Sequence, residues 1–96
     1  MRVLLQAHLD TAKSNDVIQS GKMPQVVKGL MDKIHPESAY FTTDHGVRTM
    51  YLVFDLEDPS QMPSIAEPLF VELGADLDYT PVMNADDLQK GLAQMK

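Results

Sequence analysis

The chain has 96 residues, a formal net charge of −6 and no cysteine. This length predicts a single domain over residues 1–96, and the missing thiol excludes disulfides, thiolate metal sites and a cysteine nucleophile. The eight lysines and arginines are scattered along the sequence, so they do not form a basic stripe that could bind a nucleic-acid backbone. The amino terminus does not match a signal peptide, and no stretch approaches the ~20 apolar residues of a membrane span. We therefore expect a cytoplasmic protein with no nucleic-acid or membrane partner.

The first predicted element is a strand over Arg2 to Leu9, where apolar residues alternate with a more polar set. Because strand side chains alternate between faces, the pattern separates an apolar face from a mixed one. The apolar face carries Val3, Leu5, Ala7 and Leu9, and the mixed face carries Arg2, Leu4, Gln6 and His8.

Helical patterns follow this strand. One or two helical turns are predicted before Gly21, capped at Ser14 or Asn15, and a second helix is predicted from Pro24 to the residues before Pro36. The second helix has the spacing of a buried stripe, with Val27, Leu30, Met31 and Ile34.

Residues 39–56 carry the strongest strand signal, two runs of β-branched, aromatic and aliphatic residues around Asp44-His45-Gly46. The turn allows two registers. A three-residue loop would pair Phe41 with Thr49 and Tyr51. A two-residue His45-Gly46 turn, or a four-residue loop, gathers the apolar residues on one face, and we favour it because that face can be buried. That face would hold Ala39, Phe41, Met50, Leu52 and Phe54.

The second half predicts a helix capped by Asp58 and starting at Pro59, a strand over 75–83, and a closing helix capped by Asn84. The first of these helices carries an apolar stripe with Pro68 inside it and ends at Gly74. The closing helix carries a second stripe, consisting of Leu88, Leu92 and Met95.

The predicted order β-α-β-β-α-β-α is the ferredoxin-like plan of the α+β class, a four-stranded antiparallel sheet with helices on one face. The sequence resembles the dimeric α+β barrel superfamily, and more closely a group of short uncharacterised bacterial proteins. The similar segments are Tyr40-Phe-Thr-Thr43, Arg48-Thr49, Val53-Phe54-Asp55, Asp58-Pro-Ser-Gln61, Ile65-Ala-Glu-Pro68 and Pro81-Val-Met-Asn84. The resemblance implies a homodimer whose sheets enclose a cavity, without implying one reaction.

Two groups of side chains carry candidate chemistry. His8 and Tyr51 are the candidate catalytic residues, because imidazole and phenol groups can move protons. The candidate ligand-binding residues are Gln6, Tyr40, Thr42, Thr49 and Arg48. The alternative is that the tyrosines only form a dimer interface, where tyrosine is enriched.

His8, Asp10, Asp76 and Asp78 could together bind a divalent ion, because the ferredoxin-like plan brings the first and last strands together. A solvated acidic rim at the strand ends explains these residues better, because motif matches this loose are mostly false, and we expect no metal and no cofactor.

Two functions remain open. One is a homodimeric protein that binds a small molecule between its sheets. The other is a cofactor-independent enzyme of monooxygenase or isomerase type, acting on a small aromatic or keto substrate. Catalysis would require a titratable group at the cavity, and His8 is the best candidate.

Overall fold

The computed structural model describes residues 1–95, which form four strands and four α-helices. The strands are β1 (Arg2–His8), β2 (Ser38–Asp44), β3 (Val47–Asp55) and β4 (Asp76–Pro81). The helices are α1 (Thr11–Gln19), α2 (Met23–Ile34), α3 (Met62–Leu73) and α4 (Ala85–Ala93). A short 3₁₀ turn at Pro59–Gln61 precedes α3. None of the helices within residues 1–95 is long and apolar enough to cross a lipid bilayer.

The four strands form one antiparallel sheet in the order β2-β3-β1-β4. The first and last strands are neighbours, as expected, and His8 lies opposite Asp76. The predicted order counted one helix between β1 and β2, whereas the structure has two. The chain is thus a small α+β protein with a four-stranded antiparallel sheet, an arrangement compatible with the ferredoxin-like plan.

The β2–β3 hairpin has the register that the apolar pattern favoured. Ala39 lies opposite Leu52 and Phe41 opposite Met50, with a two-residue His45-Gly46 turn. The three-residue alternative is therefore wrong. Both turn residues have positive φ, 54° for His45 and 79° for Gly46, as a type I′ turn requires.

The core lies between one face of the sheet and helices α2 and α3. Its sheet side consists mainly of alternate residues of the two central strands, Val3, Leu5, Ala7, Met50, Leu52 and Phe54. Its helical side includes Leu30, Ile34, Ile65, Leu69 and Leu73. On the edge strand β2 the same face is less protected, since Phe41 remains 54% exposed. Burying this apolar surface supplies the main driving force for folding.

Helix α1 begins earlier than the sequence indicated. Asp10 is its N-cap, with a side-chain oxygen that accepts the Lys13 backbone N–H at 2.9 Å. The predicted caps Ser14 and Asn15 lie inside the helix instead, and both accept hydrogen bonds from Arg48. The sequence did not distinguish Asp10 from Ser14 and Asn15, because all three side chains are chemically able to cap a helix.

Helix α3, in contrast, begins later than predicted. Asp58 caps the 3₁₀ turn rather than α3 itself, and α3 starts at Met62. Inside α3, Pro68 has no N–H to donate to the Ser64 carbonyl four residues earlier. The Lys33 ammonium of α2 donates to that carbonyl at 2.7 Å. The acceptor freed by the proline is thereby satisfied from a neighbouring helix.

Helix α4 begins at its predicted cap, Asn84, but its apolar stripe is not buried as a core stripe would be. Asn84 and Asp87 form a capping box at its start. None of its residues is buried, and Leu88 and Leu92 are exposed. The described residues extend 55 Å along the longest axis, against 28 Å and 17 Å along the others. The closing stripe therefore does not contribute to the core.

Candidate functional site

The sheet face opposite the helices is the candidate site and is called the open face below. Strand alternation and the pairing register arrange its side chains in rows that run across the sheet. One row contains Asp78, Gln6, Tyr51 and Tyr40, and the next contains Asp76, His8, Thr49 and Thr42. A third row contains Thr80, Leu4, Val53 and Ser38. The register thus brings six of the seven predicted site residues onto one face.

The centre of the open face is more protected than its edges. Gln6, His8 and Tyr51 on the central strands are half-buried, whereas Tyr40 on β2 is 68% exposed. Thr49 is only 2% exposed, and its hydroxyl donates to the Val47 carbonyl at 3.1 Å. Thr49 is therefore shielded by its neighbours and is not available as a surface hydroxyl.

His8 contacts a carboxylate that the sequence did not single out. Its Nε2 atom lies 3.0 Å from Oδ2 of Asp44, at the end of β2. This contact spans β3, which lies between β1 and β2. Asp44 also lies 3.1 Å from Nδ1 of His45, through its other carboxylate oxygen. Asp44 is thus held between two imidazoles at one end of the open face.

These contacts perturb the acidity of Asp44. The hydrogen bond from His8 is the main reason that the pKa of Asp44 is lowered, and contacts with His45 and Tyr51 act in the same direction. An ionised carboxylate can only accept, so Nε2 of His8 must carry the hydrogen in this contact. In the neutral imidazole, Nδ1 is then the free acceptor.

Tyr51 belongs to the same group. Burial raises the pKa of its hydroxyl, and the negative charge of Asp44 raises it further. Tyr51 therefore stays protonated at neutral pH and can donate a hydrogen bond. An imidazole oriented by a carboxylate, with a phenol nearby, resembles the base-and-orienter arrangement of many proton-transfer sites.

A surface cavity of about 340 Å³ borders His8 at this end of the sheet. Its lining also includes Asp10, Val47, Gly74 and Asp76. His8 is 24% exposed, so its ring contacts both the protein and solvent. A small molecule in this cavity would reach His8.

Arg48 lies on the other side of the sheet from the remaining candidates. It shares a face with Met50, and its Nη1 atom donates to Ser14 Oγ at 2.7 Å and Asn15 Oδ1 at 2.9 Å. These bonds join β3 to α1. The guanidinium is already engaged in the fold, away from the open face.

The acidic residues near His8 do not form a metal-binding group. His8 and Asp76 are register partners, as are Gln6 and Asp78. Within the part of the chain that the structure describes, no three histidines or acidic residues are placed to hold a metal ion together.

Asp44 is the site residue that the sequence interpretation missed. It was assigned to the turn, although the favoured register already placed it on the same face as Thr42 and Tyr40. Following the two-residue alternation one position further would have identified it.

A cavity of about 420 Å³ lies on the helical side between α2 and α3. Val26, Leu30, Ile65 and Leu69 contribute apolar surface there, and it contains none of the predicted site residues.

No protein-family model, no curated protein and no solved structure matches this chain.

Proposed function

We propose that the protein is a homodimer that binds a small polar or aromatic molecule between the open faces of two copies. The supporting observation is that half-buried Leu4, Tyr51 and Val53 lie on a sheet face that none of the helices within residues 1–95 covers. Helices pack on only one side of the sheet. An antiparallel sheet can expose one face to water, but such a face is normally polar throughout.

The chemistry of the open face indicates the class of ligand. Gln6 can donate and accept, Tyr51 donates, and Leu4 and Val53 offer apolar contact. A few polar groups on an apolar wall are typical of sites for small molecules. A planar molecule with one or two oxygens suits this combination. The resemblance to the dimeric α+β barrel superfamily supports the same arrangement, with the second copy closing the cavity.

The dimer is tested with a matched pair of charge substitutions. Val53→Asp places a carboxylate on the open face, and Val71→Asp places one on the exposed surface of α3. We expect light scattering at micromolar concentration to show a dimer for the parent protein and for Val71→Asp, and a monomer for Val53→Asp. A monomeric parent protein would contradict the proposal.

Ligand binding is tested by native mass spectrometry of the purified protein, followed by NMR titration with the small molecule that is retained. Tyr51→Phe removes a hydroxyl from the open face and should weaken binding. Tyr79→Phe is the control, because the Tyr79 hydroxyl donates to the Met62 carbonyl near α3 at 3.1 Å. Equal weakening in both variants, or chemical-shift changes confined to the helical side, would refute binding on the open face.

A second function is favoured by the His8–Asp44 contact. We propose as the alternative a cofactor-independent enzyme in which His8 is the base and Tyr51 the hydrogen-bond donor to a substrate carbonyl. In an isomerisation, His8 takes a proton from the carbon next to the carbonyl and returns it to another carbon. In a monooxygenation, dioxygen adds to the deprotonated carbon to give a hydroperoxide, which loses water and leaves a second carbonyl; the substrate supplies all the electrons and dioxygen is the co-reactant.

Proton abstraction can be followed without knowing the product. Deuterium incorporation from D₂O into small aryl ketones and keto acids would be measured by NMR. We expect exchange with the parent protein and its loss in His8→Gln. His35→Asn is the control, since His35 ends α2 with a positive φ of 45°, which asparagine tolerates. Exchange that persists in His8→Gln would rule out the enzymatic alternative.

A further inference from the structure

Helix α4 carries an apolar stripe that no other element within residues 1–95 covers. Leu88 and Leu92 lie on one face of α4, and Met95, two residues beyond the end of the helix, continues this stripe; the three side chains are 46%, 56% and 73% exposed. On a helix of a folded domain such a stripe normally faces the core. Here the sheet face that forms the core is already occupied by the other helices.

This helix is nevertheless well formed, and its first turn contacts β1. The Asn84 capping box satisfies its first N–H groups, and Asp86 and Asp87 favour its positive end. Arg2 Nη1 donates to Asp87 Oδ2 at 2.8 Å. This ion pair joins the first turn of α4 to the start of β1.

The described residues are less compact than expected for a domain of this length. The radius of gyration is 15.2 Å. A compact domain of this length would have a radius of about 12.5 Å. The excess indicates that part of the chain lies away from the main body, in keeping with the exposure of α4.

The attachment point connects α4 to the open face. Arg2 belongs to the same face of β1 as Leu4, Gln6 and His8, and it bonds both Glu37 and Asp87. The helix therefore starts beside the open face, so a second copy seated on that face would lie close to the first turn of α4.

The area of the open face also favours a contribution from α4. Four strands of about seven residues give a footprint of about 450 Å². A stable interface buries about 800 Å² on each partner. In a two-fold dimer, the α4 helix of each copy would contact the other copy. On each partner this adds about 135 Å² for its own helix and about 135 Å² for the surface that the other copy's helix covers. The combined footprint reaches about 700 Å², close to the standard size.

We propose that α4 is an arm whose stripe of Leu88, Leu92 and Met95 packs against a second copy of this chain, next to the open face. This inference rests on the homodimer proposed above and adds a second element to its interface. The arm would be exchanged symmetrically, so each copy holds the helix of the other.

The test uses two double substitutions on the same helix. Leu88→Asp with Leu92→Asp places two charges on the stripe, and Gln89→Asp with Ala93→Asp places two charges about 100° away with the same spacing. Sedimentation velocity should show a dissociation constant raised at least about tenfold by the stripe variant and changed less than about twofold by the control. Circular dichroism would verify that both variants remain folded.

A second measurement follows the arm directly. The chain has no cysteine, so Gln94→Cys provides a unique position for a spin label next to the stripe. We expect the label to become immobilised as protein concentration rises through the dissociation constant. In the stripe variant it should remain mobile at the same concentrations.

The outcomes separate the two proposals. If the parent protein dimerises and the stripe variant keeps the parental affinity, the arm proposal is wrong and the open-face dimer stands. A parent protein that stays monomeric overturns both. Immobilisation by phosphatidylglycerol vesicles but not by concentrated protein would assign the stripe to a lipid surface and overturn the arm.

Discussion

Nε2 of His8 lies 3.0 Å from Oδ2 of Asp44, although the two residues belong to strands separated by β3. The contact joins the central part of the sheet to its β2 edge. It also fixes the ring of His8 at the border of the 340 Å³ cavity. The electrostatic and structural consequences of this contact can be measured.

The first prediction concerns stability in acid. The pKa of Asp44 is lowered in the folded state, mainly by the hydrogen bond from His8. A lowered carboxyl pKa contributes stability above the unfolded value of about 3.9, and this contribution is lost as pH falls through the folded pKa. Urea unfolding should therefore show Asp44→Asn less stable than the parent at about pH 5.5, with the difference shrinking towards about pH 2.5. A difference that stays constant over this range would contradict the prediction, and Asp76→Asn is the control on the same face.

The second prediction concerns Arg48. Arg48→Met leaves the buried Ser14 hydroxyl without its donor, so we expect the free energy of unfolding to fall by about 1–3 kcal/mol. Hydrogen exchange should show the largest loss of protection in α1. Ligand binding on the open face should be unchanged, since Arg48 lies on the opposite face. Lys22→Met, at an exposed position, should alter stability by less than about 0.5 kcal/mol.

The third prediction concerns the proline inside α3. Because Lys33 supplies the donor that Pro68 lacks, Lys33→Met should cost stability in the parent but less in a Pro68→Ala background. A double-mutant cycle from urea unfolding should give a coupling of about 0.5 kcal/mol or more. Two strictly additive changes would show that the ammonium–carbonyl bond does not compensate for the proline.

The fourth prediction locates the core. Leu52 is fully buried on a central strand, and Leu52→Ala should lower the free energy of unfolding by about 2–5 kcal/mol. Val71→Ala removes an aliphatic side chain that is 69% exposed on α3 and should change stability by less than about 0.5 kcal/mol. Similar losses from both substitutions, measured by urea unfolding, would contradict the assigned packing.

The regular parts of the fold could be predicted because their patterns have a clear period. Alternation in Arg2 to Leu9 and the apolar faces of the hairpin identified β1 and the β2–β3 register. The start of α1 could not be fixed in this way, since Asp10, Ser14 and Asn15 are all good caps and tertiary contacts decide among them. Here Arg48 binds the side chains of Ser14 and Asn15, so neither is used as the cap of α1.

The site was predicted in part for a similar reason. Period two assigned Gln6, His8, Tyr40 and Tyr51 to one face, because alternation depends only on position along a strand. The Asp44 contact depends on side chains that meet across an intervening strand, which no local pattern records. The exposure of α4 was also unpredictable, since a helical stripe has the same spacing whether its partner is the same chain or another copy.

The two-residue turn at His45-Gly46 has a consequence for engineering this protein. Its length sets which face of the sheet each β2 side chain reaches, and a shift of one residue sends every side chain of a strand to the other face. One inserted glycine that shifts the register would turn Asp44 away from His8 together with Tyr40 and Thr42, while the open-face residues of β1 and β3 keep their places. The contact between the His8 imidazole and the Asp44 carboxylate therefore depends on the length of the turn, and it can be removed without substituting either residue.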